Sequence, residues 1–132
     1  RRRRGREVRR REGLIVRVSE IRYDGGPPVD GYGPGFFRLQ GAVWRGPVAL
    51  LPSGPAAWAG LPEIAPFLAE AAGFDVLFLG TGPEIAPLDP ALRAALEAAG
   101  VGVEIMATPP ACRTWNVLLA EGRRIAAGLL PV

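Results

Sequence analysis

The chain has 132 residues, 48% of them hydrophobic, which is enough to form one globular domain around a single core. It contains no histidine, no lysine and one cysteine, and its net charge at pH 7 is +3. These absences exclude Ser-His-Asp and Cys-His catalytic pairs, zinc sites of the usual His-containing types, cysteine clusters for zinc or iron–sulfur, an internal disulfide and lysine-based chemistry.

The positive charge is concentrated at the N-terminus. Residues 1–12 contain eight arginines and two glutamates, whereas the rest of the chain has eight arginines against eleven acidic residues. A block of like charges is typical of a solvated segment, so we predict a disordered tail over residues 1–12 and a single α/β domain over residues 13–132. The alternative for residues 1–12 is an arm that binds nucleic acid or anionic lipid, but the segment has no aromatic residues among its arginines. A mitochondrial presequence would be rich in serine, and the segment contains none.

The first half of the domain is predicted to be mainly β-structure. Residues 14–23 contain β-branched residues in partial alternation and predict a strand, and residues 24–35 predict a loop from their glycine and proline content. Residues 36–52 predict two or three short strands with turns near Gly41 and Gly46. Aromatic residues flank these loops and belong either to the core or to an exposed apolar patch that binds a partner: Tyr32, Phe36, Phe37, Trp44 and Trp58.

The middle of the chain predicts a loop, a helix and a strand. Residues 53–60 form the loop, which contains Trp58. Residues 61–74 predict a helix with Pro62 in its first turn and Gly73 just beyond its end. The continuous apolar run that follows, residues 75–80, fits a strand buried on both faces.

The second half alternates helices and strands. The clearest helix follows Asp89, its predicted N-cap, and stops at Gly100. A strand follows over residues 101–107, which completes a βαβ unit and implies parallel strands. A helix capped by Thr108 and a final strand over residues 123–131 end the chain. The predicted architecture is α/β with a mixed sheet.

Cys112 lies in the first turn of the last predicted helix, next to Arg113. A helix N-terminus and a nearby arginine lower a thiol pKa, which would suit a nucleophile. The alternative is a small buried hydrophobe at the margin of the apolar face that contains Trp115 and Leu119. We favour the buried hydrophobe, because no histidine is present to act as its base.

The segment LGTGPE, residues 79–84, follows a buried strand at the position where parallel sheets bind ligands. It fails the dinucleotide fingerprint, because Ile85 replaces the third glycine and the helix begins only near Asp89. A small-anion site and a tight structural turn both fit it.

Thr108 follows the neighbouring strand, so the two segments are predicted to lie side by side as a candidate binding corner. Helix capping by Thr108 is the alternative. The candidate residues are Gly80, Thr81, Gly82, Thr108, Cys112, Arg113, Asn116 and Arg123. Glu104 interrupts an apolar strand and is expected to be partly buried in an ion pair with Arg123 or Arg124, or to act as a general acid or base.

Four sequence blocks, in this order, carry a family resemblance: IRYDG, LLP before a tryptophan-containing loop, LFLGTG, and EIMATPPACRTWNVLLAEGRRIAAGLL. Over residues 14–130 the chain resembles the small single-domain family related to the mitochondrial NADH dehydrogenase (complex I) assembly factor 3. Trp115 stands where the family often has tyrosine. The resemblance implies a three-layer α/β fold around a central mixed sheet and no established catalytic activity.

The resemblance also implies an assembly role. The mitochondrial relative works with a partner protein to assemble complex I at the inner membrane, and bacterial relatives are often encoded near accessory subunits of the protein-export machinery. We therefore predict a non-enzymatic, soluble, cytoplasmic bacterial protein that binds protein partners and helps to assemble or maintain a membrane-associated complex, respiratory or export-related. Peripheral association with the inner membrane would occur through such a partner.

The alternative is a small-molecule- or anion-binding protein, or an unrecognised enzyme, that uses the corner of Gly80–Gly82 and Thr108–Asn116. We expect no cofactor, no metal, no catalytic residue and no specific nucleic-acid binding.

Overall fold

The structure, a computed structural model, describes residues 26–132. The predicted tail of residues 1–12 and the predicted strand of residues 14–23 lie outside the described residues. The strands are β1 (Val29–Gly33), β2 (Phe36–Leu39), β3 (Ala42–Arg45), β4 (Val48–Leu51), β5 (Gly54–Ala57), β6 (Val76–Thr81), β7 (Gly102–Met106) and β8 (Ile125–Leu130). The α-helices are α1 (Ala65–Ala69), α2 (Pro90–Ala98) and α3 (Thr108–Ala120).

The larger sheet is mixed, as predicted, with the strand order β5-β4-β8-β6-β7. β6 is parallel to β7 and β8, whereas β4 is antiparallel to β5 and β8. The predicted βαβ unit is confirmed as β6-α2-β7. The last strand, β8, lies in the middle of the sheet, which explains why its residues are almost continuously apolar and buried.

Helices cover both faces of this sheet, which confirms the predicted three-layer α/β fold. Successive side chains of a strand point to opposite faces. On β4, Leu50 faces a core cluster that includes Trp115 of α3, together with residues of the smaller sheet. Its neighbour Leu51 faces a second cluster with Phe67 of α1 and Leu96 of α2.

The smaller sheet is an antiparallel meander of β1, β2 and β3. The predicted turns near Gly41 and Gly46 are confirmed. The prediction of a loop over residues 24–35 is wrong at β1, which pairs with β2 despite its two glycines. One reason is the ring of Phe36, which covers Gly33 so closely that a Cβ there would lie 2.6 Å from the ring. Cross-strand packing thus supplies what the β1 sequence lacks.

β5 lies within residues 53–60, which were predicted to be a loop, so that prediction is also wrong. β5 pairs with β4 alone and forms an edge of the larger sheet. Proline cannot donate a hydrogen bond to a neighbouring strand, but an edge strand tolerates it, and Pro55 occupies such a position. Trp58 follows in an irregular segment, as predicted.

The first helix is much shorter than the predicted span of residues 61–74. α1 covers Ala65–Ala69, and a separate turn of 3-10 helix covers Ala71–Gly73. Proline is tolerated only in the first turn of a helix, and Pro66 occupies the second position of α1. The proline that starts the helix is therefore Pro66 and not Pro62.

The start of α2 and the C-terminal ends of α2 and α3 are where the sequence predicts. The Asp89 carboxylate accepts a 2.8 Å hydrogen bond from the Ala91 N–H and caps α2, which begins at Pro90. Gly100 and Gly122, just beyond the ends of α2 and α3, have φ angles of 87° and 76°. This left-handed conformation favours glycine and stops each helix.

Glu104 is exposed on β7, the other edge of the larger sheet. The expectation that it is partly buried near Arg123 or Arg124 is wrong, because an edge strand leaves room for a side chain to reach solvent. Arg124 instead pairs with Asp75, with 3.3 Å between Nε and Oδ2. Both of these side chains are largely exposed, so the pair adds little to stability.

The aromatic residues near the loops are divided between core and surface. Phe37 and Trp58 are buried, Phe36 and Trp44 are half-buried, and Tyr32 is 39% exposed. The core interpretation is confirmed for the buried residues, and partner binding by the more exposed ones stays a prediction.

Candidate functional site

Gly82 and Thr108 meet where the loop after β6 passes the start of α3. The Gly82 N–H donates a 2.8 Å hydrogen bond to Thr108 Oγ1. In return, the Thr108 N–H donates a 2.8 Å hydrogen bond to the Gly82 carbonyl. Because β6 and β7 are adjacent and parallel, the segments that follow them emerge at the same edge of the sheet. The structure therefore brings the Gly80–Gly82 segment and the start of α3 side by side.

The hydroxyl of Thr108 is buried and bonded entirely within the fold. It donates a 2.6 Å hydrogen bond to the Leu130 carbonyl and accepts the Gly82 N–H, and the residue is 0% exposed. The prediction that Thr108 caps its helix is wrong: Ala107 is the N-cap, and no side chain caps α3. The hydroxyl ties β8 and the loop after β6 to α3 instead.

Thr81 holds the loop that follows β6. Its Oγ1 accepts a 2.9 Å hydrogen bond from the Ala86 N–H. The same oxygen lies 2.8 Å from the Glu84 carbonyl and 3.2 Å from the Met106 carbonyl, and its single proton can be donated to one of them at a time. Every partner is a backbone atom, so the side chain stabilises a compact turn.

Gly80 allows α3 to pack directly on the backbone of β6. A Cβ at this position would lie 2.9 Å from Thr108 Oγ1 and 3.1 Å from the Ala111 Cβ. Gly82 has a φ of 104°, in the left-handed region that favours glycine. Gly80 is thus required by the packing of α3 on β6, and Gly82 is favoured by its backbone conformation.

Cys112 lies in the core and not on an open surface. It is 3% exposed, and this burial raises the pKa of its thiol to about 12, while the charge of Arg113 lowers it to a smaller extent. The thiolate is the reactive form of cysteine, so the folded protein holds an unreactive thiol at neutral pH. This agrees with the interpretation of Cys112 as a buried hydrophobe.

Asn116 joins α3 to β1. Its Oδ1 accepts a 2.8 Å hydrogen bond from the Val29 N–H, and its Nδ2 donates a 2.9 Å hydrogen bond to the Val29 carbonyl. The neighbouring Trp115 donates from Nε1 to the Pro27 carbonyl at 2.9 Å. The pair Trp-Asn therefore anchors the chain as it enters the smaller sheet.

Arg113 and Arg123 are both exposed. Arg123 lies beyond the far end of α3, so the helix separates it from Thr108 by about 20 Å, at a rise of about 1.5 Å per residue. Arg123 and Thr108 therefore do not lie at the same corner. Of the candidate set, the structure groups Gly80, Thr81, Gly82 and Thr108, and ligand binding by this group stays a prediction.

Two residues at this site were not identified as site residues from the sequence. Leu130 accepts the Thr108 hydroxyl through its backbone carbonyl, which leaves no mark on residue identity. Ile85, 66% exposed in the loop that Thr81 holds, was considered only as the residue in place of the third glycine of the dinucleotide fingerprint. Within residues 26–132, no three His, Cys, Asp or Glu side chains come together as a metal site. None of the helices there is long and apolar enough to span a membrane.

A family profile described as a protein of unknown function, DUF498/DUF598, matches residues 29–130. The chain is 46% identical over 110 residues to an uncharacterised protein of Rhodobacter capsulatus, a match that covers 83% of this chain and 89% of that protein.

Two vertebrate relatives are both named NADH dehydrogenase [ubiquinone] 1 alpha subcomplex assembly factor 3. The Danio rerio protein is 30% identical over 88% of this chain and 71% of its own length. The Homo sapiens protein is 31% identical over 78% of this chain, and the match spans 60% of that protein.

Solved structures share the fold. A crystal structure described as an outer membrane protein of Bartonella henselae aligns with a TM-score of 0.77 and 36% identity, over 83% of this chain and 98% of that one. An NMR structure of a Rhodopseudomonas palustris protein aligns with a TM-score of 0.70 and 32% identity, over 89% and 93% of the two chains.

Proposed function

The chain belongs to the DUF498/DUF598 family, and from that premise we propose that it is a non-enzymatic interaction protein that assists the assembly or maintenance of a membrane-associated protein complex. One observation carries the proposal: the match to the Danio rerio assembly factor spans 88% of this chain and 71% of that protein. Because the match covers most of both chains, it includes most of the α/β domain and not one shared motif.

The complex favoured by this proposal is a respiratory one that resembles NADH dehydrogenase, since the relatives with a described role are named for that enzyme. Export machinery is the second possibility and would also place the partners at a membrane. The protein acts in the bacterial cytoplasm and reaches the inner membrane by binding its partners.

A role without catalysis is supported by the state of the reactive side chains. The Cys112 thiol is buried and has a raised pKa, and the hydroxyl of Thr108 is bonded on both sides by backbone groups. The chain contains no histidine to act as a general base near neutral pH. Ligand binding at the corner of Gly80–Gly82 and Thr108–Asn116 has less support, because its central hydroxyl is already satisfied.

Co-purification from the native host tests the proposal. The tagged full chain is expressed at its natural level, membranes are solubilised in a mild detergent, and bound proteins are quantified against an untagged strain. We expect several subunits of one membrane-associated complex to be enriched together. If no membrane-complex subunit exceeds the untagged control, the assembly role is contradicted.

A further inference from the structure

The loop that follows β6 exposes apolar side chains at the carboxyl edge of the larger sheet. Residues 82–88 are named here the Ile85 loop. Ile85 is 66% exposed, more than any other large hydrophobic residue of the described chain. Pro83, Ala86 and Pro87 beside it are exposed as well. Single exposed aliphatic residues are ordinary, whereas a contiguous apolar segment is typical of a contact site.

The Ile85 loop is held in one shape before any partner binds. The N–H of Ala86, within the loop, donates a hydrogen bond to Thr81 Oγ1. At the start of the loop, Gly82 both donates a hydrogen bond to Thr108 and accepts one from it. Two prolines, Pro83 and Pro87, restrict the backbone further. A preorganised loop loses little conformational entropy on binding, so more of its contact energy is available for affinity.

The two large hydrophobic residues next in exposure lie in regular elements and not in such a loop. Val43, 48% exposed, lies directly opposite the exposed Arg38 on β2. Val117, 56% exposed, is one helical turn after the exposed Arg113 on α3. Each of these valines lies next to an arginine in a regular element, and each provides an exposed control position for Ile85.

The charge around the loop indicates the chemistry of what it contacts. The loop carries one carboxylate, the exposed Glu84, and no arginine. Residues 26–132 as a whole have six arginines against nine acidic residues. A complementary surface combines an apolar pocket for Ile85 with basic side chains at its rim.

We propose that the Ile85 loop is the segment through which this chain docks onto its protein partner, inserting Ile85 into an apolar pocket bordered by Lys or Arg. The inference rests on the proposed interaction role and adds the contact surface to it. The hydrogen bonds of Thr81 and Thr108 then support binding indirectly, because they hold the loop that makes the contact.

Site-specific photocrosslinking locates the surface. The full chain carries p-benzoylphenylalanine at position 85, and matched chains carry it at positions 43 and 117. After irradiation in the native host, crosslinked proteins are identified by mass spectrometry. We expect one protein to crosslink at position 85 and not at the controls. Crosslinking of that protein only at position 43 or 117 would overturn the proposal, and so would no crosslinking at all.

Affinity measurements with the purified crosslinked protein test the chemistry. Burial of an isoleucine side chain is worth about 1.5 to 3 kcal/mol, so Ile85→Ser should weaken binding about 10- to 150-fold. Val117→Ser should change it less than about twofold. Glu84→Gln should make the dissociation constant less dependent on salt. Equal affinities of wild type and Ile85→Ser would contradict the docking role.

Folding is checked by urea unfolding, in which Ile85→Ser should show no clear shift of its midpoint from wild type because the residue is exposed. The two proposals fail differently. If membrane-complex subunits co-purify equally with wild type and Ile85→Ser, only the surface is wrong. If none co-purifies with wild type, the assembly role itself is wrong.

Discussion

Gly82 and Thr108 exchange two hydrogen bonds, from the Gly82 N–H to Thr108 Oγ1 and from the Thr108 N–H to the Gly82 carbonyl, each 2.8 Å long. This double contact joins the loop after β6 to the first residue of α3. The Thr108 hydroxyl continues to the Leu130 carbonyl on β8, so one side chain connects three segments. The corner that the sequence marks by two glycines and two threonines therefore has a structural role, whether or not it also binds a ligand.

Replacing Thr108 by valine should lower the free energy of unfolding by about 2 to 4 kcal/mol, because it leaves a buried N–H and a carbonyl without their partner. Thr108→Ser keeps the hydroxyl and should lower it by only about 1 kcal/mol, from the lost methyl group. Urea unfolding of the three proteins gives the order directly. A valine variant as stable as wild type would show that these hydrogen bonds do not hold the corner.

Gly80→Ala should destabilise the fold by about 1 to 3 kcal/mol, since the new Cβ would lie 2.9 Å from Thr108 Oγ1 and force α3 away from β6. Gly31→Ala is the matched control, because no atom lies within 4 Å of a Cβ built there. Thermal or urea unfolding compares the two. Equal effects at both positions would contradict the close contact between α3 and β6.

Asn116→Ala should cost about 1 to 3 kcal/mol, because the Val29 N–H and carbonyl lose their partner. Alanine has the higher helix propensity, so a loss of stability cannot come from α3 itself. Hydrogen exchange should speed up at the Val29 amide in this variant and stay unchanged in Val117→Ala. Unchanged protection of Val29 in Asn116→Ala would show that the amide does not anchor β1.

Burial of the Cys112 thiol should make the folded protein less stable at alkaline pH. In the unfolded chain the thiol ionises above its ordinary pKa of 9.0, whereas burial keeps it protonated in the folded chain up to about pH 12. The folded state binds the extra proton between these values, so its stability falls there as pH rises, by about 1.4 kcal/mol per unit.

The comparison with Cys112→Ala isolates this effect, because other titrating groups are shared by the two proteins. Urea unfolding between pH 8 and 10.5 should show wild type losing stability relative to the variant once the pH exceeds 9. A difference that stays constant over this range would mean that the thiol is not buried.

Elements with local signals could be predicted from the sequence. Asp89, Pro90 and Gly100 mark the ends of α2 by themselves, and the apolar runs of β6 and β8 follow from burial on both faces. β1 and β5 could not, because Gly31, Gly33 and Pro55 disfavour a strand and only the neighbouring strands stabilise it there.

The site, like the fold, could be predicted only where the signal is local or follows from chain order. The βαβ unit places Gly82 beside Thr108, so their proximity follows from chain order. The bonds to Leu130 and Val29 do not, since both partners are backbone atoms, and Val29 lies 87 residues from Asn116. When only the sequence is known, a polar side chain that bonds to distant backbone atoms is easily taken for a ligand-binding residue.

The assembly role is tested most directly by deleting the gene in its native host and resolving solubilised membranes by native electrophoresis with in-gel NADH dehydrogenase staining. We expect the mature complex to decrease and smaller assembly intermediates to accumulate, with both changes reversed by the wild-type gene. An unchanged amount of mature NADH dehydrogenase, with no intermediates, would contradict a role in assembling that complex.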